Sequence, residues 1–252
     1  MRMRPGVKLA GLSDVGCQRE NNEDKFAYWE SDNDVQFQEK GRLFTVADGM
    51  GGHEGGAEAS RIAVDIVQEI YSSAKGGDIR AILFTAFQTA HRKILQYADS
   101  HPGLQGMGTT CTVVVLRDHD LYYAHVGDSR LYLARQDSIH RLTRDQSYVG
   151  KLVEQGIIST EEAGSHPQRH ILTSALGAGV EVLPECPEEP LSLEPGDTLV
   201  LCTDGLWSLL AEGDIQKVVT SKKPEAACRE LIKMARDLGG PDNITVQIAR
   251  VE

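Results

Sequence analysis

Three aspartates stand where the sequence turns from its surroundings into glycine or amide. Thr45-Val46-Ala47 delivers Asp48, followed by Gly49-Met50-Gly51-Gly52-His53-Glu54-Gly55-Gly56. Leu199-Val200-Leu201-Cys202-Thr203 delivers Asp204-Gly205, and Gly239-Gly240-Pro241 precedes Asp242-Asn243. A β-type run places its last side chain at a strand end, and the glycines beyond it let backbone carbonyls and amides approach a ligand closely. Such a site suits a hard cation or a phosphate. Dinucleotide and P-loop motifs are excluded, because a G-x-G-x-x-G read from Gly49 fails at Glu54 and no Gly-Lys-Ser/Thr follows. One Asp-Gly is ordinary turn chemistry; its recurrence is what points to a site.

Glu23, Asp24 and Asp128 join the three aspartates at predicted strand ends or tight turns. No histidine or cysteine accompanies Asp48, Asp204 and Asp242 in local spacing. An oxygen-only ligand set selects magnesium or manganese rather than zinc. Two such ions a few ångströms apart would activate a water and clamp a phosphoryl group for in-line attack. Arg19, one short loop before Glu23-Asp24, is the bidentate partner for the phosphate oxygens.

These residues need strands to present them. Val7–Leu12, Lys25–Trp29 and Leu43–Ala47 read as strands, the first two separated by a polar loop and the last two by a solvated turn over 30–40. Antiparallel pairing of the latter two brings Glu23 and Asp24 near Asp48. From Ala57 the apolar period becomes three to four (Ala59, Ile62, Ala63, Ile66, Val67, Ile70), and Asp78 caps a second helix after Gly76-Gly77. Four more short runs follow over 109–142 with tight turns between them, which implies antiparallel pairing. A short helix over 147–155, a capping box at Ser159-Thr160-Glu161-Glu162 and an irregular, mobile stretch to Gly179 come next. Strands near Leu191–Leu193, Thr198–Cys202 and Ile244–Val251 enclose helices from Asp214 and Pro224. Helices in pairs between runs of strands fit an α+β fold, a four-layer αββα sandwich of two antiparallel sheets with a helix pair on each outer side.

Composition narrows the function. With 252 residues, 40% apolar content and no low-complexity linker, residues 1–252 are read as one domain. The net charge of -11 argues against nucleic acid, which needs clustered Lys and Arg. Five scattered cysteines without C-x-x-C suggest neither a disulfide framework nor a zinc cage, and a reduced cytoplasm is expected. Met1-Arg2-Met3-Arg4 starts no signal peptide, because the apolar stretch after it is short and broken by Lys8 and Asp14. No segment approaches a membrane span, and a monomer is expected.

The ordered motifs resemble the metal-dependent protein phosphatase family, the phosphatase 2C type in its bacterial form. The match runs through Ser13-Asp14-x-Gly16, Arg19-x-x-Asn22-Glu23-Asp24, Asp48-Gly49-Met50-Gly51-Gly52-His53, Gly108-Thr109-Thr110, Gly127-Asp128-Ser129-Arg130, Leu142-Thr143-x-Asp145-x-Ser147, Thr203-Asp204-Gly205 and Gly239-Gly240-x-Asp242-Asn243. By that resemblance Asp48 bridges two metals, the Gly49 carbonyl binds one, Asp204 and Asp242 hold the other, and Glu23 or Asp24 acts through a metal-bound water. Asp128 resembles the ligand of a weaker third metal. Residues 147–186 correspond to the family's flap beside the substrate cleft. The resemblance implies hydrolysis of phosphoserine and phosphothreonine on proteins, opposing a bacterial serine/threonine kinase.

Two positions depart from the family pattern. Met50 stands where one branch has a general-acid histidine, which makes His53 the nearest substitute, and Gln146 stands where a histidine is frequent in Asp-His-Ser. His91, His119, His125 and His140 read as surface or core residues, and Trp207 as packing beneath the site. Arg130 reads either as a phosphate ligand or as half of a structural ion pair. Two competing functions use the same fold: a catalytically weak regulatory binding module, which would be expected to lose metal carboxylates, and a small-molecule phosphoesterase.

Overall fold

Five stretches of this chain, 42–47, 111–117, 130–135, 198–202 and 244–251, are buried almost throughout, on both faces of the strands they form. The computed structural model describes Arg4 and residues 6–51 and 55–252. In chain order these form β1 (Val7–Asp14), β2 (Lys25–Glu30), α1 (Asp34–Lys40), β3 (Arg42–Ala47), β4 (Gly49–Met50), α2 (Gly55–Ser73) and α3 (Ile79–Ser100). There follow β5 (Gly108–Thr109), β6 (Cys111–Arg117), β7 (Asp120–Val126), β8 (Arg130–Arg135), β9 (Ser138–Arg141), α4 (Tyr148–Glu154) and α5 (Thr160–Ser165). The chain closes with β10 (Leu191–Ser192), β11 (Thr198–Cys202), α6 (Asp204–Trp207), α7 (Glu212–Ser221), α8 (Pro224–Asp237) and β12 (Ile244–Val251).

Two antiparallel sheets, ordered β1-β12-β11-β8-β9 and β10-β7-β6-β3-β2, pack face to face. Leu199 and Leu201 point between the sheets with Phe44, Val46, Val114, Leu131 and Leu133. Val200 and Cys202, the alternate residues of β11, point outward beneath α7 and α8 with Ile215, Leu231 and Ile248. On the other side Leu43, Val113 and Val115 meet Ala63, Val67, Leu83 and Phe87 of α2 and α3. A one-residue slip would exchange these faces, so burial on both sides fixes the register. The four-layer α+β sandwich expected from the sequence is the observed one.

Three local expectations change. The solvated turn over 30–40 contains α1, because Asn33 caps it through Gln36 N and the buried Lys40 donates to the Tyr71 and Ser72 carbonyls at 2.9 and 2.6 Å, anchoring a segment whose sequence looks wholly solvated. The strand near Leu191–Leu193 shortens to Leu191–Ser192 against β7. The stretch to Gly179 is irregular yet tied down: Leu176 bridges Thr109, Leu172 bridges Ser147, and Gly177 N donates to His91 Nδ1 at 3.1 Å.

Candidate metal centre

Strand pairing alone gathers the predicted acids. Lys25 lies opposite Ala47, Asp14 opposite Ile244, Cys202 opposite both Val246 and Arg130, and Cys111 opposite Val126. These pairs share one end of the sandwich, so the loops carrying Glu23, Asp24, Asp48, Asp128, Asp204 and Asp242 emerge together. Turns at strand ends are where a rigid scaffold presents chemistry.

Asp48 follows the last residue of β3, and its backbone is clamped. Its N–H donates to Thr110 Oγ1 at 2.9 Å, and its carbonyl accepts from Thr110 N at 2.9 Å and Thr109 Oγ1 at 2.8 Å. Thr110 Oγ1 in turn meets Ser129 Oγ at 2.7 Å, which ties Asp48 to the Asp128 turn. At Gly49 any Cβ would lie 2.0 Å from the Gly56 carbonyl, so only glycine fits. Asp204 is the first residue of α6. Asp242 accepts from Asn243 N and Arg19 Nη2, both at 2.8 Å, while Asn243 accepts from Glu23 N and donates to the Val15 and Asn21 carbonyls. Asn243 thus stitches the 15–23 loop to the Asp242 turn.

The electrostatics are those of crowded carboxylates. Asp24 is only 3% exposed; Thr203 Oγ1 donates to its Oδ2 at 2.9 Å, and its buried Oδ1 has no partner. Burial pushes Asp24 up to about 7, reinforced by Asp204 and Asp242 and opposed by the Thr245 and Thr203 hydroxyls. Burial and then Asp24, Asp204, Asp128 and Asp242 hold Asp48 well above the usual carboxylate range. Asp128 is raised likewise, by burial and then by Asp204 and Asp145, with Arg130 opposing. Asp204 is raised by burial and Asp242, against His170, a hydrogen bond with Asp48, and Arg19. Glu23 is raised by burial, with Arg19 lowering and Asp242 raising it. Gathering so much like charge is unfavourable unless cations enter.

The donor set fits hard divalent ions. The Asp48 backbone is clamped and the Asp242 carboxylate accepts from Asn243 N, one buried carboxylate oxygen lacks a partner, and Gly49 packs so closely against the Gly56 and Glu23 carbonyls that no side chain could stand there. Among the described residues no three acidic, histidine or cysteine side chains close into a ready-made cage. An ion here would therefore combine carboxylates from separate loops with carbonyl and water oxygens.

The structure brings together Asp24, Asp48, Asp128, Asp204 and Asp242, with Glu23 and Arg19 at the Asp242 side. Arg19 is 52% exposed and ion-paired to Asp242. His53 lies outside the described residues. Gln146 accepts from Gly127 N at 3.1 Å and so braces the Asp128 turn. Arg130 pairs with Asp145 rather than standing free for phosphate. His125 sits in the core with Thr112, Gly127 and Arg144 as partners. Sequence reasoning assigned no role to Thr203, Thr110, Ser129 or Asn243, although all four lay in the quoted motifs and Thr203, Ser129 and Asn243 adjoin an acid. It also passed over His170, whose imidazole is near enough to lower Asp204.

Comparison with known proteins identifies the family. The family model described as protein phosphatase 2C matches residues 18–240. Serine/threonine protein phosphatase PstP of Mycobacterium tuberculosis is 35% identical over 97% of the chain, which spans only 45% of that relative's length. Protein phosphatase PhpP of Streptococcus pneumoniae is 35% identical over 96% of both chains. The crystal structure of the PstP catalytic domain in complex with two manganese ions superposes with a TM-score of 0.84 at 33% identity, covering 98% of each chain. A family model that matches residues 18–240, together with relatives 35% identical over nearly the whole chain, places this chain in the protein phosphatase 2C family.

Proposed function

We propose that residues 1–252 form one catalytic domain, a metal-dependent serine/threonine protein phosphatase that hydrolyses phosphoserine and phosphothreonine on proteins. The observation that carries this reading is the crowding of Asp24, Asp48, Asp128, Asp204 and Asp242 at one end of the sandwich, each raised or flanked by the others' charge. Asp48, the Gly49 carbonyl, Asp204 and Asp242 would hold two manganese or magnesium ions, with Glu23 and Asp24 behind them and Asp128 serving a weaker third. Divalent ions bound there make water more acidic and neutralise phosphoryl charge.

The chain's own groups supply the rest. Arg19 is positioned to exchange its bond with Asp242 for the substrate's phosphoryl oxygens, orienting the phosphorus for in-line attack. Asp24 Oδ1, buried and unpartnered, is available to take up a proton. His53 is the candidate donor to the serine or threonine leaving group, which as an alkoxide gains from a proton. Residues 147–186 form the flap that borders the substrate.

Among the described residues no helix is long and apolar enough to cross a membrane. A monomer in the bacterial cytoplasm, acting on phosphoproteins made by a serine/threonine kinase, completes the proposal. The test is release of phosphate from a phosphothreonine peptide and from nucleotides, with manganese and with chelator. Metal-dependent turnover of the peptide alone supports it. Turnover of nucleotides alone identifies a small-molecule phosphoesterase, and no turnover identifies a regulatory binding module.

A further inference from the structure

Arg130 contacts residues from three parts of the site region. It opens β8 two residues after Asp128. Its Nε and Nη2 donate to Asp145 Oδ1 and Oδ2 at 3.0 and 2.7 Å, and its Nη1 donates to Tyr132 Oη at 2.9 Å. Its guanidinium carbon lies 3.6 Å from the centroid of the Trp207 ring. Trp207 is the last residue of α6, the four-residue helix that Asp204 begins. Asp145 precedes Gln146, whose N–H donates to the Gly127 carbonyl at 2.7 Å and whose carbonyl accepts from Thr173 N at 2.8 Å. Tyr148 N donates to the Ile171 carbonyl at 2.7 Å. One planar cation therefore links the Asp128 turn and the Asp204 helix, by way of Asp145, to the backbone paired between 146–148 and 171–173 at the flap base.

We propose that Arg130 is a positioning residue that couples the Asp128 and Asp204 loops to the base of the flap, through its fork on Asp145 and its stack on Trp207. The inference rests on the phosphatase reading above and adds to it a route by which metal occupancy orders the substrate side. Arg130 and Asp145 are 13% and 15% exposed, so this is no loosely solvated surface pair. A two-pronged fork that also stacks on an indole requires guanidinium; the compact ammonium of lysine cannot do both. An ion that draws Asp204 and Asp128 inward displaces α6 and the β8 turn together, and Arg130 transmits that displacement to Asp145 and the residues after it.

Amide hydrogen exchange on the full chain, with and without manganese, tests the coupling without relying on turnover. In the wild type manganese should slow exchange about tenfold at 203–207 and also at 146–148 and 171–173. In Arg130→Lys the first effect should persist and the second should fall below about twofold. Should Arg130→Lys fail to fold by circular dichroism, Asp145→Asn removes the fork while leaving the cation on the ring, and the same loss is expected. Equal flap-base protection in variant and wild type overturns the proposal. So does a wild type whose 203–207 segment is protected while its flap base is not. Absence of manganese protection anywhere overturns the metal-site reading itself, and the coupling with it.

Discussion

Replacing Thr203 with valine keeps the shape of the side chain and removes one hydroxyl that serves two buried groups. That hydroxyl donates to Asp24 Oδ2 at 2.9 Å and accepts from Thr245 N at 3.0 Å. Asp24 already lacks a partner at Oδ1, so the variant leaves its carboxylate without this donor and the Thr245 amide without its acceptor. A hydrogen bond to a charged group contributes about 1.5–3 kcal/mol and an orphaned amide costs about 1–3 kcal/mol, so Thr203→Val should lose roughly 3 kcal/mol or more at high pH. The loss should depend on pH. Asp24 has its folded value raised above the unfolded one, so it favours the fold below about 4 and loses that contribution as pH rises through about 7. Removing the hydroxyl raises Asp24 further, so the variant falls behind wild type most when the carboxylate is ionised. Urea unfolding in chelator at pH 6 and pH 8.5 measures this, with Asp24→Asn as the background that removes the charge. The destabilisation should grow by about 1 kcal/mol between the two conditions in the Asp24 protein and stay constant in Asp24→Asn. Equal losses at both pH values in the Asp24 protein would refute the argument.

Three further outcomes follow from the same charges. Asp48→Asn relieves repulsion from Asp24, Asp204, Asp128 and Asp242, so in chelator its melting temperature should equal or exceed that of wild type, while the rise on adding manganese should largely vanish; a melt lowered equally with and without metal contradicts this. His125 is pushed down to about 4 by burial, so it supports the fold fully above about 6.5 and withdraws roughly 3 kcal/mol as pH falls to 4. His125→Gln should flatten that part of the acid-unfolding curve, and an unchanged acid slope would remove His125 as its cause. Arg19→Ala should raise the KM for a phosphopeptide about tenfold or more while calorimetry still detects manganese; loss of metal binding with unchanged KM would reverse the assignment.

The sequence made the architecture legible wherever both periodicity and chain ends were explicit. Strand β11 was bounded in full because Thr198–Cys202 is apolar on both faces and stops at a threonine and an acid. Helix α3 was bounded at its start because Asp78 accepts from Arg80 N. Helix α1 was missed because Lys40 and Asn33 look like solvated turn residues until the Tyr71 and Ser72 carbonyls are brought to them. The acids of the site were legible because each closes a strand or opens a turn. Their supports were not, since nothing local distinguishes Thr203, which reaches Asp24 across 179 positions, from any other threonine after a strand. Arg130 was left between two roles for the same reason: its partner Asp145 and its stacking face Trp207 come from loops that only the folded sheets bring together.

Asp48, Asp204 and Asp242 are proposed to form one divalent-metal centre with the Gly49 carbonyl. Anomalous scattering from crystals of this chain grown with manganese tests it most directly. Two manganese peaks are expected at this end of the sandwich, with Asp48 in contact with both, and both should be lost in Asp48→Asn. Peaks elsewhere, or full occupancy retained in Asp48→Asn, would contradict it.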